Sequence, residues 1–301
     1  MMKAFDVREN LTEEEFVSEY VAKNTPVVIS GVPFEADKWR PSALRNTIGE
    51  MTTQVYDTLF DLDKTSSLNE YMDENFGKDG PMPASVPYVR WYNQLKDLHF
   101  IRGDKAFEEL SSIWEKPACI PTSDLVLPIT GDGMTADPVS DNFPYRGILV
   151  AARGARTRMH RDPFFSDAIV AQFYGTKEAA LYHPDRTEEL TQMADDNSFG
   201  GFKDVRADDV TKLSVEPDYF GKLEPGQMIY IPHGWLHDVI CTSDSISVTW
   251  NFIHKLGAAQ YEEYLKNDPS KDSEFEVLQY FHKRGGLGKL SAEEMLDRLA
   301  A

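Results

Sequence analysis

His160 and Asp162 stand two residues apart in Thr157-Arg158-Met159-His160-Arg161-Asp162, just after the apolar run Gly147-Ile148-Leu149-Val150-Ala151-Ala152. In a strand, side chains at i and i+2 leave the same face, so an imidazole and a carboxylate aim at one point. A divalent ion needs such a pair and at least one further ligand. Pro232-His233-Gly234-Trp235-Leu236-His237 offers two candidates. His233 follows a proline and sits in a turn. His237 opens the next strand, where a ring can be directed inward, so His237 is preferred and His233 is read as a turn or supporting residue. Asp238 then points the other way by strand alternation. Two imidazoles and one carboxylate on one side of a metal leave its remaining positions open, an arrangement suited to non-haem Fe(II) and O2 chemistry. A His-x-Asp pair alone is equally well a polar face of a surface strand; the second histidine segment and a lysine downstream turn it into a candidate site.

That lysine is Lys177. Ala179 and Leu181 share its strand face, which sends the ammonium toward apolar neighbours, where a buried charge needs a partner. A small diacid would supply one, with Thr157 and Tyr88 adding hydrogen bonds. Asn251, between Trp250 and Phe252, either satisfies buried backbone or lines the same pocket. Arg153, Arg156, Arg158 and Arg161 cluster around the proposed metal position, with Arg161 pointing away from the ion.

The elements that must hold these groups are short strands. Residues 147–152, 168–174, 178–182, 228–232, 238–241 and 245–252 are apolar or alternating runs separated by turn signals such as Gly175-Thr176 and Glu224-Pro225-Gly226, the pattern of an antiparallel sandwich or barrel. Upstream, Thr12-Glu13-Glu14-Glu15 is a capping box opening a helix over 12–23. Thr25–Gly31 reads as a strand, and Trp39–Ile48 as a helix with Pro41 in its first turn. Thr53–Tyr56 is a short strand. Residues 57–85 read as a polar loop with one helical turn near Leu68–Met72. Tyr88–Tyr92 fits strand or helix, Ala106–Ile113 a short amphipathic helix, and 117–144 mostly loop. The charged stretch 185–222 reads as an insertion between strands. Helices are expected at Ala259–Leu265, Glu274–His282 and, after a second capping box at Ser291–Glu294, through Leu299.

The chain has 301 residues, 50 acidic against 31 basic, and a net charge of −19. So acidic a surface repels phosphate backbones, and no basic stripe is visible, which speaks against a nucleic-acid partner. Two cysteines, Cys119 and Cys241, fit a reducing compartment rather than a disulfide scaffold. No apolar run nears the roughly 20 residues of a membrane span, and the first residues lack the apolar core of a signal peptide. A soluble cytoplasmic protein without membrane attachment is expected.

Gly154-x-x-Thr157-x-x-His160-x-Asp162, Gln172-x-x-Gly175-x-Lys177, Leu223-Glu224-Pro225-Gly226-Gln227-x-x-Tyr230-Ile231-Pro232-x-Gly234-Trp235-x-His237 and Ser247-Val248-Thr249-Trp250-Asn251-Phe252 together resemble the JmjC (cupin-like) family of Fe(II)- and 2-oxoglutarate-dependent oxygenases. The likeness is strongest over 145–255. Upstream, Thr25–Gly31 and Trp39-x-Pro41-x-x-Leu44 are similar to the family's lead-in. The resemblance implies one mainly-β domain over 1–301. It would comprise an α/β lead-in (1–144), a double-stranded β-helix, or jelly-roll, core (145–255) with the insertion 185–222, and C-terminal helices (256–301). It implies Fe(II) on His160, Asp162 and His237. The distal carboxylate of 2-oxoglutarate falls to Lys177 and Thr157, with Asn251 and Tyr88 lining the pocket. Decarboxylation of 2-oxoglutarate to succinate and CO2, with O2, would then hydroxylate a substrate C–H bond.

Arg161 stands where the family commonly has Tyr or Phe, and Pro163–Asp167 lengthens the spacing before Gln172. With no reader domain, zinc-binding cysteine cluster or basic arm, the small hydroxylase branch is favoured over a chromatin demethylase. The substrate expected is a protein or peptide side chain, with a free amino acid or small metabolite as the alternative. A zinc-type cupin isomerase or hydrolase gives Lys177 no reason to face inward, and an intact triad argues against a silent binding module. Some family members dimerise through C-terminal helices, and a homodimer is expected on that ground.

Overall fold

The computed structural model describes residues 2–58, 61–92, 102–114, 117–127, 147–195 and 198–267. In chain order the strands are β1 (Asp6–Glu9), β2 (Val27–Ser30), β3 (Thr52–Tyr56), β4 (Leu62–Ser67), β5 (Tyr88–Tyr92), β6 (Leu125–Leu127), β7 (Gly147–Ala151), β8 (Arg156–His160), β9 (Asp167–Tyr174), β10 (Lys177–Tyr182), β11 (Tyr219–Leu223), β12 (Gln227–Ile231), β13 (Leu236–Cys241) and β14 (Ser245–His254). The helices are α1 (Glu13–Phe16), continued by a π-helical turn over Val17–Val21, α2 (Pro41–Ile48), α3 (Leu68–Asn75), α4 (Arg102–Leu110), α5 (Thr187–Gln192) and α6 (Ala258–Asn267).

Among the described residues the strands make two sheets. The larger runs β1-β2-β12-β9-β14-β7-β5-β3-β4, with β6 added beside β14; the smaller runs β11-β10-β13-β8. From β7 to β14 the chain passes repeatedly between them, with β10 and β11 both in the smaller sheet, and winds two facing sheets into the jelly-roll that the family resemblance implies; the short strands and turns alone pointed to an antiparallel sandwich or barrel. β1 and β2 pair in parallel and Lys3 makes an isolated parallel bridge to Tyr219 of β11; the other described strand pairs are antiparallel.

Strand alternation sorts most buried side chains into three apolar layers, with a smaller cluster of Val86, Tyr88, Ala151, Ala152, Ala155 and Cys241 beside them. Ile169, Ala171 and Phe173 of β9 face the N-terminal helices, joining Phe16, Trp39, Leu44 and Trp250 in the largest cluster. Trp39 stacks on Phe173 with ring centroids 4.2 Å apart, and full burial of such a ring contributes about 1.5–3 kcal/mol. Ala168 of β9 faces instead into the space between the sheets, where it meets Ala179 and Leu181 of β10 and Ile229 and Ile231 of β12. The alternate residues of β10, Ala180 and Tyr182, face outward and pack with Met159, Leu190, Val205 and Leu236 beneath the long connection 183–218. The small sheet is therefore covered on both sides.

Several expectations need correction. Residues 57–85 contain β4 and the two-turn helix α3, capped by Ser67 and Glu70 in a reciprocal box. Tyr219–Leu223 is a strand paired with β10, so the connection before it ends at 218 rather than 222. The strand β1 has mostly exposed residues and is held by pairing with β2, which its own sequence does not announce. Tyr88–Tyr92 is a strand. The loop expected over 128–144 and the helices expected at Glu274–His282 and Ser291–Leu299 lie outside the described residues. Among the described residues, no helix is long and apolar enough to cross a membrane.

Candidate metal centre

Strand β8 runs antiparallel to β13, with His160 opposite His237 and Thr157 opposite Val239. Three steps on β8 are thus matched by two on β13, a β-bulge. Without it, Thr157 and His160 would face opposite sides. With it, both face the interior between the sheets. Asp162 lies just past β8 in extended backbone, as a residue before proline prefers. Pro163–Phe165 then turns sharply, with Phe164 and Phe165 at positive φ (58° and 55°), and returns the chain to β9.

His160, Asp162 and His237 offer ligand atoms that all lie within 4.8 Å of one another. One Asp162 oxygen is 3.8 Å from His160 Nε2 and the other is 3.7 Å from His237 Nε2. Ligands about 2.1 Å from a shared ion lie about 3 Å apart, so a small inward movement would close this set on a metal. Both rings are also in the right tautomer. His160 Nδ1 lies 2.8 Å from the Arg158 carbonyl and His237 Nδ1 lies 3.2 Å from the Trp235 carbonyl. A carbonyl only accepts, so each Nδ1 carries the proton and each Nε2 keeps its lone pair for the metal. Burial, then the nearby His237 ring and the Arg90 charge, hold the His160 pKa well below 6.5, which favours the neutral ligand form. Burial raises the Asp162 pKa, opposed by His237, a hydrogen bond from Asn251, and Arg90. His160 and Asp162 keep partial exposure while His237 is buried, so the site is open on one side.

Lys177, at the start of β10, is buried among apolar neighbours. Its ammonium donates to Ser247 Oγ of β14 at 2.6 Å, across the space between the sheets. No described carboxylate lies within ion-pair distance of it, and burial lowers its pKa. A buried cation with a hydroxyl as its polar contact fits an anionic ligand. The Thr157 hydroxyl lies 3.2 Å from that of Tyr88 and accepts a hydrogen bond from Arg90 at 2.7 Å. Asn251 sits at the metal end: its Nδ2 donates to Ser166 Oγ at 3.0 Å, and it hydrogen-bonds Asp162. His233 serves the turn before β13. Its backbone N–H donates to Asp167 at 3.0 Å and its ring Nδ1 lies 3.2 Å from the same oxygen, which also accepts from Tyr230. Gly234 completes that turn at φ +79°, and a Cβ there would stand 2.8 Å from the Phe165 ring.

The arginine cluster divides. Arg156 and Arg158 do not face the metal; they lie on the outer side of β8 and pair with Asp204 and, for Arg156, with Asp238. Arg161 projects over the Phe165 and Phe202 rings. Among the described residues the interior arginine is Arg90 of β5, which the sequence motifs did not single out. A lone arginine in a strand looks like surface charge, and only its alternation with apolar Val89 and Trp91 hinted otherwise.

A family model described as a Cupin-like domain matches residues 12–257. Among curated proteins, the chain is 26% identical over 264 residues to "Lysine-specific demethylase JMJ21" of Arabidopsis thaliana, covering 82% of this chain and 25% of that protein. It is 24% identical over 265 residues to "JmjC domain-containing protein A" of Dictyostelium discoideum, covering 80% and 92%. It is 22% identical over 294 residues to the "2-oxoglutarate and iron-dependent oxygenase JMJD4 homolog" of Drosophila melanogaster, covering 86% and 66%. The first two curated relatives are longer: the chain spans a quarter of one and 60% of the other.

Proposed function

This chain belongs to the Cupin-like domain family, and on that premise we propose that it is an Fe(II)- and 2-oxoglutarate-dependent oxygenase that hydroxylates a C–H bond of a protein or peptide side chain. The observation that carries this reading is the meeting of two half-sites in one interior. Two imidazoles and a carboxylate converge at one end, and a buried ammonium with no carboxylate beside it among the described residues stands at the other. Relatives named as 2-oxoglutarate and iron-dependent oxygenases support the same pairing of cofactors.

His160 Nε2, an Asp162 oxygen and His237 Nε2 would hold the Fe(II), leaving the open side for co-substrate and O2. Bound Fe(II) supplies O2 activation, and 2-oxoglutarate supplies two electrons as it becomes succinate and CO2, so one oxygen atom enters the substrate and one enters succinate. The chain's own work is positioning. The Arg158 and Trp235 carbonyls fix the imidazole tautomers, Asn251 steadies Asp162, and Lys177 with Thr157 and Tyr88 anchors the far carboxylate. A catalytic zinc site would take the same triad but has no use for Lys177. Relatives named lysine-specific or arginine-specific demethylases favour amino-acid side chains as the substrate over free metabolites.

Adding 2-oxoglutarate to the anaerobic Fe(II) protein is expected to give a weak visible absorption band, and admitting O2 to release succinate slowly without substrate. A flat spectrum with no succinate would remove the oxygenase reading. Mass spectrometry of candidate peptides against free amino acids then sorts the substrate. One added oxygen on a peptide supports the proposal, one on a free amino acid replaces its substrate class, and loss of a methyl group as formaldehyde replaces hydroxylation with demethylation.

A further inference from the structure

Among the described residues, the interior holds a further buried cation beside the triad and Lys177, and the proposed function gives it no role. Arg90 is 2% exposed, and its side chain points into the same space as Lys177, which is 4% exposed. Registers in the large sheet place it. Arg90 stands opposite Leu149 of β7, and Leu149 stands opposite Ser247 of β14. Arg90 and Ser247 therefore occupy one row, two strands apart, and face the same side. From that row two contacts cross to the small sheet: Lys177 donates to Ser247, and Arg90 donates to Thr157. The Arg90 guanidinium also lies over the Tyr88 ring, with its Cζ 4.2 Å from the centroid. The stack and the Thr157 bond hold the guanidinium in one orientation before any ligand arrives. Its charge acts on Lys177 at one half-site and on His160 and Asp162 at the other.

Two like charges in a low-dielectric interior raise each other's cost, and an anion between them reverses the sign of that interaction. A guanidinium presents a planar fork matched to a carboxylate, which an ammonium does not. We infer that Arg90 is a second cationic contact for the co-substrate, closing with Lys177 on the distal carboxylate of the keto-diacid beside Thr157. The inference rests on the function proposed above.

Isothermal titration of the full chain loaded with Mn(II) tests it, using 2-oxoglutarate and 2-oxobutyrate, which lacks the distal carboxylate. Arg90→Gln is expected to bind Mn(II) within about threefold of wild type, to weaken 2-oxoglutarate at least tenfold, and to leave 2-oxobutyrate unchanged. Arg90→Lys, which keeps the charge and guards against a folding failure of the first variant, should recover part of the diacid preference. Wild-type affinity for 2-oxoglutarate in both variants would overturn the inference. So would equal weakening of both ligands, the mark of a purely structural role. If the wild-type Mn(II) protein binds no 2-oxoglutarate at all, the proposed function itself falls, and the inference with it.

Discussion

β8 and β13 carry two charge clusters back to back. On the inner face stand His160 and His237, with Asp162 beside them and Lys177 on the neighbouring strand. On the outer face stand Arg156 and Asp238, covered by Asp204 and Arg206 from the connection 183–218. The outer cluster pairs charge with charge, although Arg206 Nη2 makes no hydrogen bond among the described residues. Arg156 Nε donates to Asp238 at 2.8 Å, Arg206 Nε donates to the other Asp238 oxygen at 2.8 Å, and Arg156 and Arg158 both reach Asp204. Three guanidiniums meet two buried carboxylates, with the half-buried Glu178 3.7 Å from Arg206. The inner cluster is of another kind: two imidazoles and one carboxylate converge as a ligand set, and its ammonium donates to a hydroxyl with no described carboxylate within ion-pair distance. Charges that answer one another hold a fold; charges of the same kind left without an answer point to a ligand.

Adjacent residues of β13 give the strongest way to break this contrast. His237→Ala should remove measurable Mn(II) binding while the melting temperature of the metal-free protein stays near wild type. Asp238→Ala should leave Arg156 and Arg206 buried without their shared carboxylate, costing about 3–5 kcal/mol in urea unfolding. If instead His237→Ala unfolds the chain and Asp238→Ala is silent, the assignment of the two faces is reversed.

Asp204 sharpens the outer half. Burial pushes its pKa up, but hydrogen bonds from Arg156 and Arg158 outweigh this and hold it below 3.8. A carboxyl with a depressed folded pKa adds stability above its unfolded value and loses it as the pH falls through the folded one. Asp204→Asn should therefore cost about 1.5–3 kcal/mol at neutral pH, and that deficit should shrink once the pH drops below 3.8. A deficit that stays constant into that acid range would deny the carboxylate its role.

The two faces were not equally legible in the sequence. Alternation along Lys177–Leu181 is enough to turn an ammonium inward, and the step from His237 to Asp238 is enough to turn a carboxylate outward. An antiparallel sandwich or barrel follows from short apolar runs set between Gly and Pro turns, and the family resemblance narrows it to the jelly-roll. The partners of the outer cluster were hidden, because Asp204 and Arg206 sit in an irregular connection with no periodicity to orient them. Arg156 and Arg158 were placed at the metal because residue type says nothing about face, and the bulge between Thr157 and His160 shifts the alternation. The helix α3 did leave a signal, the Ser67-x-x-Glu70 box, within a stretch whose polar composition masked it. β1 left none, since its place depends on the edge offered by β2.

The smallest expected effect has the opposite sign, which makes it the most discriminating. Burial lowers the Lys177 pKa, so between its folded value and 10.5 the unfolded chain binds more protons than the folded one. Wild-type stability therefore rises with pH across that window, and the cost of the buried ammonium is fully present below it. Lys177→Met removes the charge and keeps the apolar stem. The metal-free variant should be about 0.5–2 kcal/mol more stable than wild type at neutral pH, with the gain fading as the pH approaches 10.5. The same variant should lose most of its affinity for 2-oxoglutarate while holding Mn(II). A charge that weakens the fold and strengthens binding belongs to the ligand. Should Lys177→Met prove less stable than wild type, the ammonium would be part of a charge-paired network like the one behind it, and the contrast between the two faces would fail.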